Sequence, residues 1–559
     1  MSISFFRTPG GSVIATEADH RLNAEEIEKL CWLYGGATVE TEDGLKGCFV
    51  GPRREMITPW STNAVEITQN MSLSGISRIE EYFPVKDEHA EHDPMLQRMY
   101  KGLDQNIFTV DIQPAPIVYI ENLEEYNEQE GLALSPEEIE YLHQVEGQLG
   151  RKLTDSEVFG FAQINSEHCR HKIFGGTFII DGKEMESSLF QMIKKTTQEN
   201  PHKIISAYKD NVAFAQGPVV EQFAPKDHST SDYFIIKDIE SVISIKAETH
   251  NFPTTVEPFN GASTGTGGEI RDRMGGGVGS WPIAGTAVYM TSYPRTDEDR
   301  DWEDILPVRQ WLYQTPEQIL IKASDFGNKF GKPLITGSVL TFEHQENGER
   351  YGYDKVIMLA GGVGYGTKRD CLKGTPQKGN KVVVVGGDNY RIGLGGGSVS
   401  SVDTGRYSSG IELNAVQRAN PEMQKRANNL VRALCEEDVN PVVSIHDHGS
   451  AGHVNCLSEL VEECGGLIDM SKLPIGDKTL SSKEIIANES QERMGLLIQE
   501  EHIEHVRKIA ERERAPMYVV GETTGDAHFA FQQADGVRPF DLDVAQMFGH
   551  SPKTYMRDN

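Results

Sequence analysis

Between Ser241 and Asp272 the chain reads S-V-I-S-I-K-A-E-T-H-N-F-P and, shortly after, G-A-S-T-G-T-G-G-E-I-R-D, and no other stretch restricts the fold as tightly. The apolar approach from Ser241 to Ile245 reads as a strand, and a period of two then puts Lys246, Glu248 and His250 on one face. A cation, a carboxylate and an imidazole pointing together at the end of an apolar strand fit a polar site. The glycines from Gly261 to Gly268 read as a loop whose backbone N–H groups can approach an anion. That run closes on Glu269, Arg271 and Asp272, side chains suited to phosphate pairing and hard-metal ligation. A nucleotide-phosphate site with magnesium is the expectation, and a Gly-rich surface loop after a buried strand is the alternative. A Walker-type loop needs G-x-x-x-x-G-K-[ST], which neither this run nor Gly393 to Ser398 supplies. The dinucleotide fingerprint fits poorly too, because Pro253 and Pro258 separate the glycines from the strand. A different nucleotide fold is implied.

A chain of 559 residues should hold about three or four domains. With 54 Lys and Arg against 84 Asp and Glu, the net charge of −30 disfavours nonspecific binding to nucleic acid or to an anionic membrane. No apolar run approaches the roughly 20 residues that cross a bilayer, and the Met-Ser-Ile-Ser-Phe-Phe start lacks the layout of a signal peptide, so a cytoplasmic location is expected. The seven cysteines are scattered without a C-x-x-C pair, which indicates neither a disulfide framework nor a structural zinc knot.

The texture predicts an α/β (α+β) chain of four parts: a small α/β domain over 1–130, a helical linker over 131–204, and two α/β units over 205–370 and 371–559. In the linker, Ser135 with Glu138 and Thr154 with Glu157 form capping boxes. Three further clusters carry chemistry. Asn165 to Lys172 packs His168, His171, an acid and bases into one turn, which fits acid–base work or phosphate contact, with a solvated polar turn as the alternative; no further Cys/His pair completes a zinc set. Asp447, in H-D-H-G-S-A-G after the apolar Val442 to Ser444, sits at a strand end where a carboxylate can hold magnesium or cap the next helix. Asn488 to Met494 is dense in donors and acceptors, suited to a polar substrate or to a solvated helix start.

Taken together, N-S-E-H-C-R-H-K-I-F, K-A-E-T-H-N-F-P, G-A-S-T-G-T-G-G-E-I-R-D, A-V-Q-R-A-N-P-E-M, H-D-H-G-S-A-G and E-S-Q-E-R-M resemble the phosphoribosylformylglycinamidine synthase family of purine biosynthesis in its large single-chain form. The resemblance spans nearly the whole chain. It implies an N-terminal domain of small-subunit type, the linker, and then N- and C-terminal domains of aminoimidazole-ribonucleotide-synthetase type. The implied reaction is ATP-dependent: ATP phosphorylates formylglycinamide ribonucleotide, and ammonia derived from glutamine displaces the phosphate from the iminophosphate. The resemblance implies catalytic histidines at His168 and His250, and ATP contacts at His171, Lys246, Gly261, Gly265, Gly267 and Gly268. Substrate contacts would be Thr249, Asn251, Phe252, Arg271, Gln417, Glu489, Ser490 and Gln491, and Mg2+ would fall to Glu248, Asp272 and Asp447. Phe252 departs from many relatives, which carry a histidine there, so it is expected to pack. The family form continues into a second synthetase half and a glutaminase domain, which the resemblance makes the expected partners of residues 1–559, as one piece of a longer or a split enzyme. Without that half, the sheet around residues 240–290 is expected to expose an apolar face and to pair two copies. The alternatives are a noncatalytic nucleotide-binding and docking half, or another ATP-dependent synthetase of the same superfamily.

Overall fold

The computed structural model describes residues 1–93, 96–167, 170–297, 299–303, 314–353, 355–401, 411, 414–489, 492–548 and 552–558. They fall into two compact units: Met1–Ala115 with Asn389–Arg391 and Ile475–Leu480, and Pro116–Asp388 with Ile392–Pro474 and Ser481–Asn559. Among the described residues no helix is long and apolar enough to cross a membrane.

The first unit is a six-stranded antiparallel sheet in the order Thr38–Val39, Ser2–Arg7, Val13–Ala18, Ile76–Val85, Leu45–Pro52, Gln97–Leu103. Alternation along Ser2–Arg7 sends Phe6 into one apolar cluster, shared with Leu30 of the helix Ala24–Leu33 and Ala64 of the helix Pro59–Asn70. Ile3 and Phe5 go to a second cluster with Tyr82 and Tyr100. The second helix is tied to the sheet by Glu80, which accepts from Thr58 N–H at 3.0 Å and Thr58 Oγ1 at 2.7 Å, while Thr58 Oγ1 caps the helix at Ser61 N–H.

The second unit opens with the helices Leu123–Glu130, Pro136–Leu149 and Asp155–Ile164. Both expected capping boxes form, Ser135 with Glu138 and Thr154 with Glu157. A six-stranded sheet follows in the order Leu334–Thr341, Trp281–Thr291, Ile357–Thr367, Phe234–Thr249, Ala213–Pro225, Ile204–Ser206, parallel only between the first two. A seven-stranded sheet runs Val442–Asp447, Met494–Ile498, Lys381–Val385, Met517–Thr523, Gly466–Asp469, His528–Gln532, Phe540–Asp543. One apolar core joins the two: Ile270, Met274 and Trp281 from the first part pack with Val383, Leu430, Leu434, Ile445 and Leu496 from the second. A third, small sheet pairs Tyr555–Asp558 in parallel with Thr177–Ile180, which in turn pairs with Lys183–Glu184.

The glycine-rich run departs from the sequence expectation. Gly261, Gly265, Gly267 and Gly268 lie inside one helix, Pro258–Met274, buried along almost its whole length. Its interior N–H groups are committed to carbonyls four residues back, starting with Gly261 N–H to Glu257 O at 2.8 Å, so they are not available to cradle a phosphate. The missing side chains serve close packing instead. A Cβ on Gly261 would stand 2.3 Å from Thr254 N and 2.4 Å from Pro253 C, and one on Gly265 would stand 2.8 Å from His250 Cβ. Gly268 is different, since its Cβ would find nothing nearer than 3.7 Å. Gly261→Ala should therefore lower stability by about 2 kcal/mol or more through backbone clash, whereas Gly268→Ala should be neutral or stabilise by up to about 1 kcal/mol, as in any helix interior. Denaturant unfolding of both variants checks this; a loop would make the two alike.

Candidate active site

The strand Phe234–Thr249 pairs antiparallel with Ile357–Thr367, placing Lys246 opposite Gly362 and Glu248 opposite Ala360. As the period of two requires, Lys246 and Glu248 share a face: Lys246 Nζ lies 3.4 Å from Glu248 Oε2. The same ammonium sits 2.6 Å from Asp272 Oδ2, near the C-terminal end of the glycine-rich helix. Asn211 Nδ2 donates to Asp272 Oδ1 at 3.2 Å and to Asp447 Oδ1 at 3.4 Å. Asp447 ends the strand Val442–Asp447 of the other sheet and lies 3.6 Å from Arg271 Nε. Glu248, Asp272 and Asp447 are thus brought together from three elements, linked through Lys246 and Asn211. Arg271 is held in place by Gln424, which accepts from its Nη1 at 3.0 Å and donates to Gly267 O at 3.1 Å.

The electrostatics of this group are those of crowded carboxylates. Burial raises the Asp447 carboxyl well above the usual range, Asp272 adds to the rise, and Arg271 opposes it. Burial also raises Glu248, against the pull of Lys246. Burial works against the charge of Lys246 itself, but Asp272 and Glu248 outweigh it and hold the ammonium above its usual range. Three hard oxygen donors with surplus negative charge suit a hard divalent cation such as Mg2+, with Lys246 standing between two of them as the local counter-charge.

His250 caps the helix Asn251–Val256 and turns inward, its Nδ1 2.6 Å from Gly261 O. A carbonyl can only accept, so Nδ1 carries the proton and Nε2 is the basic atom of the neutral ring. Asn251 Oδ1 accepts from Met358 N at 3.0 Å, Phe252 is 2% exposed beneath Lys355, and Thr249 is exposed. A second polar group lies around Glu489: Oε1 accepts from Ala451 N–H at 3.1 Å, and Gln417 Nε2 lies 3.3 Å from Oε2. Burial pushes the Glu489 carboxyl up to about 7, against these donors. His171 starts the short helix His171–Gly175, is exposed, and stacks edge-on with Phe190. His168, Ser490 and Gln491 lie outside the described residues.

Residues 12–105 match the formylglycinamide ribonucleotide amidotransferase N-terminal domain, 123–172 the linker domain of the same protein, and 377–533 the C-terminal domain of AIR synthase related proteins. Over 97% of its length the chain is 35% identical to a phosphoribosylformylglycinamidine synthase of Dictyostelium discoideum. The two models matched between residues 12 and 172 are both those of formylglycinamide ribonucleotide amidotransferase. It spans 43% of that relative's length. Its fold is shared with a solved structure, Thermotoga maritima PurL complexed with FGAR, at a TM-score of 0.52 and 22% identity, over 74% of this chain and 57% of that one.

Several neighbours of the candidate site residues were not foreseen. Asn211 has no motif around it and Gln424 lies just past A-V-Q-R-A-N-P-E-M, and only the fold reveals that Asn211 joins Asp272 to Asp447 and that Gln424 ties Arg271 to Gly267 O. Glu269, expected at the phosphate site, is fully buried and pairs with Lys332 and with Arg273 one turn on, so it braces the helix instead. His448 and His453 are buried, His448 Nε2 lying 2.9 Å from His453 Nδ1 and His453 Nε2 2.8 Å from Arg493 Nη1; burial and the Arg493 charge keep both rings neutral. Arg493 in turn donates to Asn488 O at 2.6 Å, bracing the segment that carries Glu489. Because the folded-state pKa of Glu489 is raised, stability is lost as pH climbs from its ordinary carboxylate value towards about 7, where ionising it in the buried site becomes costly. Glu489→Gln should melt higher than the wild type at pH 8, and that gap should shrink towards pH 5. Thermal melts across this range check the sign.

Proposed function

We propose that this chain is the first synthetase half of an enzyme that converts formylglycinamide ribonucleotide to its amidine with ATP, using ammonia released from glutamine by a partner domain. The observation that carries this reading is the meeting of Lys246, Glu248, Asp272 and Asp447, from two sheets and a helix of one unit, beside His250. Lys246 and Arg271 offer cations to phosphate groups. Magnesium held by Glu248, Asp272 and Asp447 would neutralise charge on the transferred phosphoryl group. His250, with Nδ1–H fixed on Gly261 O, presents Nε2 as the base that takes a proton from the attacking ammonia. Glu489 and Gln417, with Ser490, Gln491, Thr249 and Asn251, would bind the ribonucleotide, and a Glu489 carboxyl pushed up to about 7 adds a donor in its protonated form. His168 remains a second proton-transfer candidate, and His171 an ATP contact. The role of the glycines shifts from cradling ATP to shaping the helix under the site. The borders at 130, 204 and 370 are proposed for the four domains.

In a full assembly supplied with ammonia, His250→Ala should lose at least about a hundredfold in turnover with ribonucleotide binding kept within a few-fold, and His250→Asn should not restore it. Asp272→Asn should weaken magnesium-dependent binding while the melting temperature in buffer stays level or rises, since one crowded carboxylate is removed. Near-normal turnover of either His250 variant would transfer the base to His168. A drop in stability of Asp272→Asn with binding intact would make that residue structural.

We further propose that the six-stranded sheet pairs with a sheet of its own kind, the second synthetase half of the complete protein or, for this chain alone, a second copy. On the face turned away from Lys246 and Glu248, Ile245 and its cross-strand partner Val363 are 56% and 37% exposed, and Leu340 on the same face is 47% exposed, an apolar patch unusual for a solvated face. Light scattering at micromolar concentration should detect a species of twice the chain mass, and Leu340→Asp should dissociate it; only monomer at that concentration would count against pairing.

A further inference from the structure

Among the described residues, one group of three His, Cys, Asp or Glu side chains gathers its ligand atoms within 4.8 Å of one another: Asp227, Glu437 and His505. None of them belongs to the site above. Asp227 follows the strand Ala213–Pro225, Glu437 caps the C-terminus of the helix Pro421–Glu436, and His505 lies in the first turn of the helix Ile503–Arg512. We propose that these three side chains form a divalent transition-metal site, with zinc as the best-fitting ion, that clips the segment after Pro225 to the two helices.

The chemistry favours a bound cation. His505 Nε2 lies 3.0 and 2.8 Å from the two oxygens of Glu437. Asp227 is pre-set by Ser229, whose N–H and Oγ donate to Oδ1 at 2.7 and 2.8 Å. The basic side chains nearby are engaged elsewhere: Lys237 with Asp438 and Glu436 O, Arg432 with the Glu436 carboxylate, Arg369 with Asp370 and the carbonyls of residues 435, 437 and 438, and Arg512 with Glu513 and His228 O. Asp227 and Glu437 therefore have no Lys or Arg partner among the described residues, at a helix C-terminus whose dipole itself favours a cation. A second, separate observation is His228. It is 3% exposed, its backbone N–H donates to Glu437 Oε1 at 3.3 Å, and neither ring nitrogen has a hydrogen-bond partner, although Nε2 lies 3.3 Å from Glu436 Oε2. Its Nε2 faces Glu436, so this buried residue supports Glu437 through its backbone N–H and is not one of the three converging ligands. One imidazole with two carboxylates is a donor set for zinc, manganese or cobalt and a poor one for magnesium, which prefers oxygen throughout.

The test uses the full chain, stripped of metal with a chelator and titrated with zinc chloride alone in calorimetry and in thermal melts, with magnesium chloride as control. Expected are one zinc per chain and a raised melting temperature, with no matching effect of magnesium, and a loss of at least about tenfold in zinc affinity in both Asp227→Asn and His505→Gln. Cobalt chloride gives a readout that does not depend on stability: a visible absorption band in the wild type, displaced by one equivalent of zinc and lost in His505→Gln. Absence of stoichiometric zinc binding would overturn the proposal and leave Glu437 and His505 as an ordinary ion pair. So would zinc binding that both variants retain in full.

Discussion

The helix Pro258–Met274 is the element on which the site depends, and its own sequence gives it little reason to exist. Four glycines in its interior cost about 1 kcal/mol each relative to alanine, so packing has to hold it. Part of that hold is a fully buried ionic brace, Glu269 between Lys332 and Arg273. Burial, with help from Arg273, pushes Lys332 down to about 7, and burial alone brings Arg273 down to about 10, the cost of placing these charges away from water. Removing one partner of such a brace typically costs about 3–5 kcal/mol, because a charge is left alone in the core. The helix that presents Arg271 and Asp272 is fixed in register by the residues on either side of them.

Much of the site could be read from the sequence where local periodicity governs position. The two-residue period placed Lys246 and Glu248 on one face, the apolar run before Asp447 put that carboxylate at a strand end, and the capping boxes at Ser135 and Thr154 marked their helices. The glycine run was misread because a glycine that lets a backbone approach a phosphate and one that lets a backbone approach another backbone look alike in a sequence. Gly261 against Pro253 and Thr254 is the second kind. The grouping of residues 248, 272 and 447 came from the family resemblance and not from their spacing, and neither says that Asn211 will bridge two of them.

The buried carboxylates and the neutral polar network around His448 and His453 divide the labour of the site in physical terms. Near Lys246 the protein accumulates charge whose energy is relieved by a cation. Around Glu489 it removes charge: a carboxyl pushed up to about 7, two imidazoles kept neutral, and Arg493 itself lowered to about 9 by burial. A cation suits the first group, and an uncharged polar group suits the second.

The parallel pairing of Tyr555–Asp558 with Thr177–Ile180 carries a cost in time. At about 5–20 residues per second, the roughly 380 residues between these strands take on the order of 20 to 75 seconds to synthesise. For that interval the strand Thr177–Ile180 has only Lys183–Glu184 beside it, and its other edge offers unpaired N–H and C=O groups to any neighbouring chain. On a ribosome this short sheet closes after the other sheets of residues 1–559 and until then lies open to capture by a chaperone or by another nascent copy.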